Sequence, residues 1–248
     1  MDINMSMNMF GTPQEMAKMK AQGVKFPINM NMVNNMDCSI LTGHINTDQG
    51  FPTTFKYNNF TNTVSLNGQE VQNGANPLVN QQIYAKYDKN GTFSVDSISG
   101  KTVDDQSKGL ITNMLQQLIN SVKFPDKPIH IGETFTQVVP MQLPLKDMQM
   151  KVEVRVQYKL IKLEGDHAFF DIVQSAVFKF DIQKDQMYMV GNATGGGNMV
   201  YGINESYPLS YKSNLQFTYN LNRSPKQTVM KAVARMSTEQ QTQITAVN

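Results

Sequence analysis

The chain has 248 residues, with 22 basic and 20 acidic side chains and a formal charge of +2. No Lys/Arg block interrupts that near-neutral balance, so the basic stripe that nucleic-acid binding needs is missing, and no nucleic-acid role is expected. No run approaches the ~18 apolar residues of a membrane helix, and the lone Cys38 rules out a disulfide within the chain.

Residues 1–9 alternate from the start, with Ile3, Met5, Met7 and Met9 on one face and Asp2, Asn4, Ser6 and Asn8 on the other. That is a half-buried strand. A strand beginning at residue 1 is read as a chain cut upstream, with a signal peptide or lipoprotein leader removed. Thr12-Pro13-Gln14-Glu15 carries a capping box with Pro at the first helical position, and predicts a short helix stopping at Gly23. Alternation resumes at Phe26, Ile28, Met30 and Met32, and again at Phe55, Tyr57, Val64 and Leu66. Asn67-Gly68 predicts a hairpin turn, because both residues accept positive φ. Strands around Ile83–Tyr87 and Phe93–Val95 are joined by Asp88-Lys89-Asn90-Gly91.

One segment departs from period 2. Leu110, Ile111, Met114, Leu115, Leu118, Ile119 and Val122 recur at three- and four-residue steps, predicting an amphipathic helix at about 105–122 that Pro125 ends. Its wide stripe predicts burial against a sheet.

Residues 148–160 then alternate most clearly, with Met148, Met150, Val152, Val154, Val156, Tyr158 and Leu160 on one side. Glu164-Gly165-Asp166 turns the chain into a partner strand with Phe170, Ile172, Ala176, Phe178 and Phe180. Gly195-Gly196-Gly197 is read as a flexible turn. Strands near 198–203, 207–221 and 227–236 follow. The expected fold is mainly β, an antiparallel curved sheet or half-barrel packed on the one central helix. Residues 1–236 are expected as a single domain: 1–104 a first strand group, 105–122 the helix, 123–236 a second strand group. Residues 237–248 are expected as a weakly ordered tail.

Phe124-Pro125-Asp126-Lys127-Pro128-Ile129-His130-Ile131-Gly132-Glu133-Thr134-Phe135 resembles a segment of an uncharacterised family of exported bacterial β-rich proteins, many of them lipoproteins. In that family a helix precedes a Pro-x-Lys-Pro-Val-x-Val-Gly-Asp-x-Trp-like run; here Phe135 stands in place of the Trp. Leu160 to Ala168, with Gly165, matches its Leu-x-x-x-x-Gly-x-x-Ala turn. The resemblance covers roughly residues 105–235. It implies export and a β architecture, and it carries no assigned reaction. At the level of fold, strands with one apolar helix look like the open half-barrels of lipoprotein carriers.

The chemistry-bearing residues form no familiar set. His44, His130 and His167 lack metal-ligand spacing, so no metal site is expected. No Gly-x-Ser-x-Gly is present, and Cys38 reads as a small buried hydrophobe. The Gly triplet lacks the Gly-Lys-Ser/Thr ending of a phosphate loop. The 18 methionines stand above background, with Met5-x-Met7-x-Met9, Met30-x-Met32, Met148-x-Met150 and Met187-x-Met189 each stacking thioethers on one strand face. Met fills apolar positions, keeps a pocket deformable, and in clusters selects Cu(I).

These readings predict a non-enzymatic protein of the bacterial cell envelope, periplasmic or associated with the outer membrane, without a cofactor. It is expected to bind an apolar or lipid-like ligand in a Met/Phe-rich interior, with Met114, Leu118, Met150, Val154, Phe170, Phe178 and Met189 as pocket residues. A lipid anchor upstream is compatible with this. The alternatives are a structural or interaction module of the envelope and, behind it, a Met-cluster copper binder.

Overall fold

A computed structural model describes residues 1–10, 12–23, 25–47, 49–71, 78–88, 93–100, 108–109, 111–112, 122–145, 148–182, 187–224 and 227–245. The strands are β1 (Asp2–Met9), β2 (Ile28–Thr42), β3 (Phe51–Leu66), β4 (Gln69–Val71), β5 (Gln82–Tyr87), β6 (Phe93–Ile98), β7 (Thr134–Leu145), β8 (Met148–Glu164), β9 (His167–Ile182), β10 (Met187–Gly202), β11 (Tyr207–Ser224) and β12 (Gln227–Gln241), with helix α1 (Pro13–Ala21) after β1. The hydrogen-bonded order is β6-β5-β3-β2-β1-β12-β11-β10-β9-β8-β7, with β4 paired to β3. The mainly β, antiparallel class expected from the alternation is the class observed.

Chain contacts separate two compact units, where one domain is expected. The first comprises Met1–Met32, Val64–Val71 and Val122–Asn248, and the second Val33–Thr63 and Gln72–Ser121.

In the first unit the strands are long: 17 residues in β8 and 18 in β11, against the usual five or six. β8 alternates strictly from Val152 to Leu160, and antiparallel register brings the apolar phases together. Leu160 pairs with Phe170, and Phe170 with Met199; Ala176 pairs with Ala193, Ala193 with Phe217, Phe217 with Ala234, and Ala234 with Met5. One face is therefore a continuous buried cluster that runs from Val152 on β8 to Met5 on β1. A slip of one residue would turn that whole set to solvent, so burial itself fixes the register.

The local signals at both hairpins hold. Asn67 and Gly68 have φ of 50° and 81° and join β3 to β4. Gly165 has φ of 55° at the first central position of the β8–β9 turn, where Glu164 pairs with His167. The capping box of α1 is formed: Thr12 N–H donates to Glu15 Oε2 at 2.7 Å, and Glu15 N–H donates to Thr12 Oγ1 at 3.3 Å.

The Gly triplet is not a turn. Gly195, Gly196 and Gly197 lie within β10, and none has positive φ. Their role is close approach. A Cβ on Gly195 would strike the Asn214 carbonyl of β11, and one on Gly197 would strike the Lys212 carbonyl. A run of glycines signals a turn because glycine readily takes φ > 0; here its missing side chain is used instead. Residues 237–241, expected in the weakly ordered tail, continue β12 because β11 offers them partners, among them Lys212 for Glu239 and Ser210 for Gln241.

The second unit has its own core of Phe55, Tyr57, Ile83, Ala85, Phe93, Val95 and Ile98. Phe55 pairs with Ile83, which pairs with Ile98. Cys38 is half-buried and packs on this core. Of the helix expected at about 105–122, Lys108, Gly109, Ile111 and Thr112 are helical and Val122 is not. Ile111 packs on the second unit's core, and Thr112 Oγ1 accepts from Val95 N–H at 3.2 Å. The rest of that helix, with Met114 and Leu118, lies outside the described residues.

Gly195→Val should lower stability by about 2–3 kcal/mol or more through overpacking against β11, measured by chemical denaturation. Gly196→Ala, whose Cβ would lie 3.0 Å from the Ile172 carbonyl, should cost less than about 1 kcal/mol. Equal losses would show that Gly195 and Gly196 do not differ in packing.

Candidate functional site

An open apolar depression of about 270 Å³ lies in the first unit, lined by Phe124, Pro125, Lys127, Ile129, Leu160, Leu163, Ala168, Phe170, Tyr201 and Ile203. Its walls come from one end of β8, β9 and β10 together with the segment leading into β7. That segment is tied down by backbone bonds: Gly132 N–H donates to Leu160 C=O at 2.7 Å, and Leu160 N–H donates to Glu133 C=O at 3.1 Å. On the opposite side, Ile203 N–H donates to Asp166 C=O at 2.8 Å.

A β-bulge shapes one wall. Leu160 pairs with Phe170, Lys162 with Phe169 and Leu163 with Ala168, with the register shifting between Leu160 and Lys162. Strict alternation from Leu160 would bring Lys162, not Leu163, to the inner face. The extra residue re-aims the strand and sets Leu163 beside the depression. Leu163 is 48% exposed and Ile203 47%, so both rim residues offer apolar surface to solvent.

Aromatic rings form the floor. Phe124 lies 4.8 Å from Tyr201 edge-on, 5.2 Å from Phe135 and 5.8 Å from Phe170. Behind them Phe135 stacks on Tyr158 at 4.9 Å. Edge-to-face and offset geometry of this kind adds about 0.5–1.5 kcal/mol per pair beyond area burial, which makes the floor firm. Lys127 is the only ionisable lysine or acid among the lining residues, and it makes no ion pair among the described residues.

Of the residues predicted to line a pocket, Phe170 borders the depression while itself being buried. Val154, Phe178 and Met189 lie in the packed core, at 1%, 7% and 2% exposure. Met150 belongs to β8, and its side chain lies outside the described residues. Phe124, Leu163, Tyr201 and Ile203 escape a reading by periodicity. They converge from three separate segments, and only the broken alternation at Leu160-Ile161-Lys162-Leu163 marks the place.

Elsewhere in the first unit's interior, Gln174 is buried. Its Nε2 donates to Tyr211 Oη at 3.3 Å, while its Oε1 has no partner among the described residues. Burial, and then the nearby Tyr211, pushes the Tyr158 hydroxyl far above the usual tyrosine range. Burial also raises Tyr219, whose hydroxyl donates to Met5 Sδ at 3.5 Å. His44, His130 and His167 are exposed, and among the described residues no three His, Cys, Asp or Glu side chains cluster to hold a metal ion.

The tyrosine shifts fix a pH response. Tyr158 and Tyr219 stay protonated in the folded state while the unfolded chain ionises near its ordinary value of about 10. The unfolded state then binds fewer protons, so the contribution of these tyrosines to stability is fully present below about pH 10 and falls as pH rises beyond it. Denaturation midpoints should drop between pH 9 and 11, and Tyr158→Phe should flatten the drop. An unchanged slope in that variant would contradict the assignment.

No protein-family model, curated protein or solved structure matches this chain.

Proposed function

We propose that the protein is a passive binder of an amphiphilic molecule in the bacterial cell envelope, and that the molecule's apolar part seats in the depression above Phe124 and Phe170. The observation that supports this is an apolar seat with an exposed aliphatic rim and one ammonium, Lys127, that makes no ion pair among the described residues. At about 270 Å³ it falls just below the ~300 Å³ at which pockets engulf a drug-sized ligand. It suits one alkyl arm, with the head group left in water. Lys127 then favours an anionic head over a cationic one. The envelope setting rests on the resemblance of residues 124–135 and 160–168 to the exported β-rich family.

A second reading, a structural or interaction module without a small ligand, is favoured by one observation. Val154, Phe178 and Met189, expected to line an interior pocket, are core residues.

A fluorescent acyl probe should bind the purified full chain and be displaced by decanoate more readily than by decylamine. Leu163→Asp and Ile203→Asp alter exposed positions, and should each weaken probe binding at least tenfold without changing the denaturation midpoint. Lys127→Glu should reverse the preference for the anion. No probe binding at all, or binding untouched by the rim substitutions, would favour the structural module.

A further inference from the structure

The inner phase of the neighbouring strands β1 and β12 holds Met5, Met7, Met9, Met230 and Met236.

The register brings three of them together. Met9 pairs directly with Met230, and Met7 pairs with Ala232, the next inner position of β12. Directly paired residues stand about 4.5–5.5 Å apart at Cα, and alternate residues of one strand about 6.7 Å. Methionine is unbranched and flexible, so the three sulfurs can meet at one point, and the small Ala232 leaves room between them. All three side chains are half-buried, and those of Met7 and Met230 pack against the core cluster. Met5 differs, being buried with its sulfur engaged by the Tyr219 hydroxyl.

The chain leaving β1 stays at this end. Phe10 N–H donates to Val229 C=O at 2.8 Å, and Lys231 Nζ stands 5.9 Å from the centre of the Phe10 ring. Helix α1 follows, and its two half-buried residues are Met16 and Met19, one turn apart on a single face.

We propose that Met7, Met9 and Met230 form a thioether site for a soft monovalent ion, Cu(I) or Ag(I). Neutral, polarisable thioethers select such ions over hard cations. A thioether has no proton to lose, so this site differs from one built on His or Cys, whose affinity falls as pH falls. The site is separate from the depression and does not rest on the amphiphile reading.

The test is a calorimetric titration of the full chain with Ag(I), in a Cys38→Ser background that removes the one thiol. One ion per chain is expected, with equal affinity at pH 5.5 and 7.5. Met9→Leu with Met230→Leu should weaken it at least tenfold, whereas Met36→Leu, at an exposed position of β2, should not. In parallel, ¹³C-methyl-methionine spectra of the chain with its methionines intact should show the Met7, Met9 and Met230 methyls shifting on addition of Ag(I). The spectra decide the matter if the double variant fails to fold. No saturable binding, an affinity indifferent to the double substitution, or shifts confined to other methionines would overturn the proposal.

Discussion

The first unit depends on one constraint: long paired strands must all present the same phase to one side over their central stretches. Val152, Val154 and Val156 can be buried only if Ala176, Ala193 and Phe217 are buried with them, because antiparallel pairing sets them in rows. The opposite face is mostly polar, exposed valines such as Val173 and Val177 apart, and it uses its polar residues across strands. Arg235 Nε donates to Gln216 Oε1 at 2.9 Å, Ser237 Oγ to Asn214 Oδ1 at 2.7 Å, and Asn31 Nδ2 to Asn4 Oδ1 at 2.6 Å. The high Asn and Gln content is therefore the outer half of the same pattern that builds the core. Each such bond contributes little on its own, but the rows agree with the register that burial imposes.

What alternation imposes was legible in the sequence. The β8–β9 hairpin, the Asn67-Gly68 turn and the capping box at Thr12 rest on local rules, and local rules are visible in a string of residues. The Gly triplet misleads for a physical reason: glycine serves both positive φ and close approach, and only the facing Asn214 and Lys212 carbonyls tell the two apart. The candidate site is harder still. Phe124, Leu163, Tyr201 and Ile203 meet through pairing and a bulge, and neither is written in any single segment. The expected pocket residues Val154, Phe178 and Met189 are of the apolar types that also fill a core, so composition cannot separate pocket from packing.

The depression stands where the rules of the sheet relax. The bulge after Leu160 turns an aliphatic residue inward, and the segment from Phe124 to Gly132 folds back over the strand ends. The rings below it are locked against one another, while Leu163 and Ile203 stay in water. A firm floor and an apolar rim suit a seat that is formed before its ligand arrives, so little ordering opposes binding. In the proposed function, Lys127 gives that seat a preferred orientation for an amphiphile.

The central claim is that this seat holds an amphiphile. The most direct measurement is native mass spectrometry of the full chain purified from a bacterial host, followed by organic extraction. The account predicts an added mass, released by extraction as an acyl species with an anionic head and absent from the Leu163→Asp protein. A clean mass for the bare chain that stays unchanged after incubation with excess decanoate would contradict it.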